Sequence, residues 1–330
     1  MLSLFFYAFI ISLLVNIAVI VLSNKFHIFV DDSNSNKPQN FHTDSTPRAG
    51  GIGILFGFTL LLFIPFGLKF IISIILSFLS GIFEDFHNSL SPKLRLLLQF
   101  LAAASTIILT HSVITYLGLG ITMPYWMGII FSLFAIVGMM NAINIIDGFN
   151  GLASGVILLI LGSFFMVASQ QQCLEILPII AIIAGSVLGF FILNFPYGKI
   201  FLGDGGAYML GFVVALIGIF LASSYIHVSP WYVLAIFIYP VWEVIFSIIR
   251  KKSMGKSPMQ PDKYHLHMLI FRHITKSNPQ TSLLILTLLL PSTIFSTIYA
   301  ESSIINITIV TLFIGFYLFL YNYLYKKEKQ

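Results

Sequence analysis

The chain has 330 residues with 17 Lys and Arg, 12 Asp and Glu and 8 His; 58% of it is hydrophobic and 9% charged. That charge content is far below the ~25% of a soluble domain, which excludes an ordinary water-soluble fold. The one cysteine, Cys173, excludes an internal disulfide and any multi-thiolate metal site.

The charges collect in short segments between apolar runs. Eleven runs are long enough to be read as membrane spans: 1–22, 50–68, 69–86, 93–110, 125–143, 151–170, 175–194, 206–225, 229–249, 281–299 and 303–325. Backbone groups in lipid need partners within their own segment, so these runs are expected to be helices. The expectation is an all-α, polytopic integral membrane protein forming one catalytic domain over 1–330. The first run lacks a basic leader and a small-residue cleavage site, so it reads as a retained span.

Eleven spans put the termini on opposite sides. The gaps after even-numbered runs hold one basic residue, Lys69. The remaining sixteen fall on the other side, at Lys25, Lys37, Arg48, Lys93, Arg95, Lys199, 250–276 and 326–329. Basic loops stay in the cytoplasm, so the N-terminus is expected outside and the C-terminus inside. Because the basic residues flank spans, topology and contact with anionic lipid or phosphate account for the pI near 9.2, and nucleic acid is not expected.

Polar residues cluster in five segments of the cytoplasmic side. The first is His42-Thr43-Asp44-Ser45-Thr46-Pro47-Arg48-Ala49-Gly50-Gly51, where Pro and paired Gly mark a tight loop with close backbone approach. A polar loop with a topology arginine is the plainer reading. The second is Glu84-Asp85 at the end of the third run, followed by Ser91-Pro92-Lys93-Leu94-Arg95. Ser91-Pro92 is a helix-start signal. Lys93 and Arg95 then sit in a first turn, where the dipole disfavours cations, so an anion is expected to offset them: lipid headgroups, the nearby carboxylates or a bound phosphate.

The third cluster is Asn141-Ala142-Ile143-Asn144-Ile145-Ile146-Asp147-Gly148-Phe149-Asn150-Gly151. On a continued helix, residues 141, 144 and 147 share one face. Interhelical hydrogen bonding is the alternative. The fourth is Phe201-Leu202-Gly203-Asp204-Gly205-Gly206. Asp204 either caps the eighth span or serves a Mg²⁺–phosphate group, since Mg²⁺ takes one or two carboxylates and fills its shell with water and phosphate. The fifth is the long loop 250–280, with Arg250-Lys251-Lys252 and Asp262-Lys263-Tyr264-His265-Leu266-His267-Met268. Imidazole and guanidinium groups there suit phosphate oxygens. Glu243, inside the ninth run, is either functional or hydrogen-bonded to a neighbouring helix.

The order and spacing of these segments resemble the polyprenyl-phosphate N-acetylhexosamine-1-phosphate transferases of glycosyltransferase family 4. That family includes the bacterial undecaprenyl-phosphate N-acetylglucosamine-1-phosphate transferases, the phospho-N-acetylmuramoyl-pentapeptide transferases and the eukaryotic dolichyl-phosphate enzymes. The likeness rests on Thr46-Pro47-Arg48 with its Gly pair, the acidic pair with Leu90-Ser91-Pro92-Lys93, Asn141-x-x-Asn144-x-x-Asp147-Gly148, Phe201-Leu202-Gly203-Asp204-Gly205-Gly206 and the loop with Asp262 and His265-Leu266-His267.

The resemblance implies transfer of a sugar-1-phosphate, N-acetylhexosamine-1-phosphate foremost, from a UDP-sugar to undecaprenyl phosphate, releasing UMP. This is the first membrane step of a cell-surface glycan pathway, on the cytoplasmic face of the bacterial inner membrane. It implies Mg²⁺ (with Mn²⁺ as a substitute) at Asp204 with Asn144 assisting. Asp85 would orient or deprotonate the lipid phosphate, with Glu84 beside it, and Asp147 would shape the metal or nucleotide site. Arg48, Lys93, Arg95, Arg250, His265 and His267 would contact phosphates, and Asn150 the nucleotide.

This chain departs from the pattern at three places: Glu84 replaces the first Asp of the usual pair, Asn150 stands where bacterial relatives often have Asp, and Met268 replaces a final histidine. The loop also lacks the triple histidine of the muramoyl-pentapeptide branch, which favours an amino-sugar donor. The sequence sets no oligomeric state, and a homodimer stays open. A transporter or lipid flippase is the competing class. It should carry its ionisable groups near the midplane on broken helices, whereas here only Glu243 lies deep in a run. A catalytically dead sensor of the same fold is a third reading, kept open by Glu84 and Met268.

Overall fold

The computed structural model describes residues 1–26, 46–85, 90–257 and 263–329. The expected motif residues 42–45 and Asp262 lie outside the described residues, as does the side chain of Glu84.

Every one of the eleven apolar runs is helical, because lipid leaves the backbone no other way to satisfy its polar groups. The helices are α1 (Leu2–Phe26), α2 (Gly50–Gly57), α3 (Leu68–Asp85), α4 (Pro92–Thr110), α5 (Tyr125–Ile146), α6 (Leu152–Gln170), α7 (Leu177–Asn194), α8 (Gly203–Ser224), α9 (Pro230–Ile236), α10 (Ile238–Ser253), α11 (Leu266–Ile270), α12 (Asn278–Ile298) and α13 (Ser303–Lys329). A 3₁₀ segment, Phe58–Phe63, extends α2, and a π-helical segment, Phe271–Thr275, extends α11. Among the described residues, β-type pairing is limited to the isolated bridges Arg48–Phe201 and Tyr116–Thr122.

Three runs differ in form from the simple spans expected. The second yields an apolar helix of only Gly50–Phe63, and the third one of Leu68–Phe83, both shorter than eighteen residues. The ninth breaks at Phe237 into α9 and α10, bent by 76°. Pro230 starts α9 and Pro240 sits in the first turn of α10, where a missing N–H costs least. Eight helices are long and apolar enough to cross a membrane, or nine with the bent pair counted once.

The core is built around α8, which is buried along almost its whole length. Small residues let neighbours come close. A Cβ at Gly51 of α2 would sit 2.5 Å from Gly206 Cα, so the two helix starts touch backbone to backbone. Polar loops gather at the two ends of the bundle. At one end Trp231 donates to Leu117 O (2.8 Å), the Ser229 and Ser303 hydroxyls pair (2.8 Å) and Gln171 donates to Glu301 (2.8 Å). At the other lie the starts of α2, α4, α6, α8 and α12 and the ends of α3, α5, α7 and α13, joined by the contacts described next.

A cavity of about 560 Å³ lies in the elbow of α9 and α10. Its walls are apolar: Phe131, Gly138 and Ala142 of α5, Ala215 of α8, and Phe237 and Val241 at the bend.

Candidate active site

Four sequence-distant segments meet at Asp204. The loop before α2 lies along the loop before α8: Phe201 N–H donates to Pro47 O (2.8 Å), Gly50 N–H to Phe201 O (2.8 Å) and Gly51 N–H to Leu202 O (2.9 Å). That pairing brings Arg48 Nη2 to 3.7 Å from Asp204 Oδ1. Arg95, in the first turn of α4, comes to 3.9 Å from Asp204 Oδ2 and lies over the Tyr208 ring. Asn144 of α5 donates to Asp204 Oδ1 (3.1 Å).

Asp85, at the end of α3 and beyond its apolar stretch Leu68–Phe83, completes the group in an unexpected way. Its two oxygens accept the backbone N–H groups of Asp204 (2.9 Å) and Gly205 (3.1 Å). These amides at the start of α8 have no partner within their own helix. The residue before the helix is Leu202, which has no oxygen to cap them. Asp85 therefore acts as an N-cap delivered from another helix. Gly203 makes this possible, because it has φ +78° and a Cβ there would sit 2.7 Å from both Arg48 O and Asp85 Oδ2.

Three carboxylates in one region repel each other and lose water. Burial first, then the charge of Asp204, pushes Asp85 up to about 7, against the pull of the two amides and Arg48. Burial again dominates at Asp147, which is also pushed up to about 7 by burial and Asp204 and held back by Arg48. α5 ends at Ile146 and Asp147 follows it with non-helical backbone (φ −79°, ψ 50°), so the helix does not continue through 147 as a face shared by 141, 144 and 147 supposed.

The histidine segment is gripped by α10. Glu243 Oε2 pairs with His265 Nδ1 (2.9 Å), and Glu243 Oε1 accepts Leu266 N–H (3.1 Å). One helical turn earlier, Tyr239 OH pairs with His267 Nδ1 (3.2 Å). The two imidazoles are parallel at 5.3 Å, and His267 packs edge-on against Phe149 at 5.6 Å. A Cβ on Gly148 would come within 3.9 Å of His267 Nε2. His267 thus reaches the turn that follows Asp147. Met268 is buried in the core.

The other expected site residues take different positions. Asn150 is buried; its N–H donates to Asn278 Oδ1 (2.7 Å) and its Nδ2 to Pro196 O (3.1 Å). Asn194 extends this group by accepting Gly151 N–H (2.6 Å) and donating to Ile200 O (2.8 Å). Arg250 is buried and donates to Tyr264 O, Tyr321 OH (3.1 Å) and Ser247 Oγ (3.3 Å), which fastens the histidine segment to α13. Lys93 is exposed on the first turn of α4. Glu84 lies on the last turn of α3.

Sequence reasoning missed Tyr208, Tyr239 and the capping role of Asp85. Signals were present: Leu202 cannot cap, Tyr208 stands one turn from Asp204, and Tyr239 one turn from Glu243.

Among the described residues no three His, Cys, Asp or Glu side chains form a self-sufficient metal site. The set still fits Mg²⁺ chemistry, in which one or two carboxylates suffice and substrate phosphate supplies the rest. The carboxyls of Asp85 and Asp147 are raised chiefly by burial, and a divalent cation at Asp204 would favour their ionised forms.

The chain is similar to known proteins over most of its length. Residues 67–222 match the family model of glycosyl transferase family 4. The chain is 30% identical over 285 residues to a probable undecaprenyl-phosphate N-acetylglucosaminyl 1-phosphate transferase of Bacillus subtilis, covering 79% of this chain and 75% of that one. It is 30% identical over 248 residues to the undecaprenyl-phosphate alpha-N-acetylglucosaminyl 1-phosphate transferase of Thermotoga maritima, covering 75% of each. It is 31% identical over 233 residues to a phospho-N-acetylmuramoyl-pentapeptide-transferase of Streptococcus agalactiae, covering 68% of this chain and 67% of that one. With the motif order, the Asp204 cluster and these relatives in agreement, the chain belongs to glycosyl transferase family 4.

Proposed function

We propose that the protein transfers N-acetylhexosamine-1-phosphate from a UDP-sugar to undecaprenyl phosphate, releasing UMP at the cytoplasmic face of the inner membrane. The observation that carries this reading is the convergence of Asp85, Asn144, Arg48 and Arg95 on Asp204. The cluster lies at one end of the bundle, and Ala142, two residues before Asn144 on α5, lies in the wall of the apolar cavity. A lipid phosphate arrives from the bilayer and a nucleotide from the cytosol, so they meet only at an interface.

Eleven crossings with the N-terminus outside are our reading of the topology. The even alternation of helix ends between the two faces supports it, as does the single basic residue, Lys69, on the far side. Gly50–Phe63 and Leu68–Phe83 then cross as short helices packed inside protein.

Asp204 would hold Mg²⁺, with Asn144 fixing the carboxylate's orientation. The ion supplies charge neutralisation between two phosphate-bearing substrates. Arg48 and Arg95 flank Asp204 and would take phosphate oxygens, with His265 and His267 approaching from the other side by way of the Asp147 turn. Asp85 spends both oxygens on amides and so suits an orienting role at the start of α8. The second phosphate ionisation lies near pH 6, so the attacking oxygen needs little help in losing a proton at neutral pH. Catalysis is then mainly positioning and electrostatics. The names of the Bacillus subtilis and Thermotoga maritima relatives, together with the missing triple histidine, favour N-acetylglucosamine as the donor's sugar.

A transporter would need its ionisable groups at mid-depth. Glu243 is the one deep carboxylate discussed above, and it is fully engaged with His265 and Leu266. The test is purified protein in detergent with undecaprenyl phosphate, UDP-N-acetylglucosamine and Mg²⁺. We expect UMP release that requires all three. Movement of lipid or nucleotide across proteoliposomes without UMP would refute the transferase.

A further inference from the structure

The far end of α13 carries a carboxylate in the wrong place for its own helix. Glu328 lies in the last turn, where the dipole favours cations such as its neighbours Lys326 and Lys327. It is offset from outside: Arg272 Nη1 lies 2.9 Å from Glu328 Oε1, and His273 Nε2 lies 2.6 Å from Glu328 Oε2. Both partners belong to the π-helical segment Phe271–Thr275, a form often found at functional sites. Arg272 Nη2 also donates to Lys263 O (2.5 Å), so one guanidinium ties both ends of the histidine segment to α13. Two further turns of α13 make parallel contacts, Tyr321 with Arg250 and Tyr325 with Tyr264 at 5.7 Å.

We propose that Glu328 is a positioning residue: by clasping Arg272 and His273 it holds the segment 263–275, and with it His265 and His267, in register with the Asp204 cluster. An isolated exposed ion pair is worth little. This one joins two cationic partners to one carboxylate, all three side chains being three-quarters or more shielded. The proposal rests on the reading of His265 and His267 as contacts to the donor's phosphates.

The test uses full-length protein in lipid nanodiscs, comparing wild type, Glu328→Arg, Arg272→Glu and the double reversal. Amide exchange is followed over 263–277, and KM and kcat for UDP-N-acetylglucosamine are measured alongside the thermal midpoint. We expect each single variant to raise exchange in that segment about tenfold and donor KM about tenfold, with the double reversal recovering most of both. Protein that is merely less well folded lowers apparent kcat and leaves KM alone. Unchanged exchange, or a loss confined to kcat, or no recovery in the double variant overturns the clasp. Absence of UMP release from wild type overturns the transferase reading instead, while the exchange data still judge the clasp.

Discussion

At the scale of the residue, Asp85 shows how one side chain serves fold and chemistry together. Its oxygens cap α8 and thereby aim the start of that helix, which carries Asp204. The cost is a carboxyl raised to about 7 by burial and by Asp204, and Asp147 shares it. A raised carboxyl is protonated below its pKa, and protons compete with a cation for the same negative charge. The Mg²⁺ concentration for half-maximal UMP release should therefore rise as pH falls from 8 to 6, by up to about tenfold per unit for each carboxyl that must ionise. A midpoint that does not move with pH would separate Asp85 and Asp147 from the ion. The sequence made Asp85 and Asp204 visible as polar residues at helix ends. Leu202 before α8 signals that a cap must come from elsewhere, but nothing local names a residue 119 positions away.

At the scale of the element, the bend between α9 and α10 is decisive. The apolar run 229–249 reads as one span, but it breaks by 76° at Phe237, where Pro240 denies Ile236 O a hydrogen bond and crowds it, and α9 packs on α8. Gly218 of α8 shows the fit, with a Cβ there falling 2.7 Å from Val233 Cγ1. The break opens the cavity, and Gly138 lines it with open space, since a Cβ there would meet nothing within 4 Å. Gly138→Phe should fill that space without disturbing the Asp204 cluster. The expected outcome is a KM for undecaprenyl phosphate raised roughly tenfold, consistent with blocking a site whose affinity comes from buried apolar area, and an unaltered KM for the nucleotide sugar. Equal effects on both substrates would remove the cavity from lipid binding. Helix identity was legible for all eleven runs because lipid allows nothing else. Helix breaks and short spans were not.

At the scale of the whole molecule, the clustering of basic residues and the clustering of polar motifs turn out to be one fact. The segments at Arg48, Asp85, Arg95, Asn144 and Asp204 are remote in sequence but gather at one end of the bundle. Their common face was legible from span counting alone. The division of labour among them was not: Arg250 and Asn150, read as ligand contacts, are tied into buried networks with Tyr264, Tyr321, Asn278 and Pro196, which only tertiary packing determines. Removing the carboxylate at the centre should cost more than removing any flanking donor, because every charged partner is arranged around it. The most direct measurement uses sealed membrane vesicles of both orientations carrying wild type or Asp204→Asn, with UDP-N-acetylglucosamine added outside. Inside-out vesicles of wild type should release UMP, right-side-out vesicles should not, and Asp204→Asn at equal folded protein should fall roughly 10³-fold. UMP release from right-side-out vesicles, or near-normal turnover by Asp204→Asn, would contradict a cytoplasmic site built on Asp204.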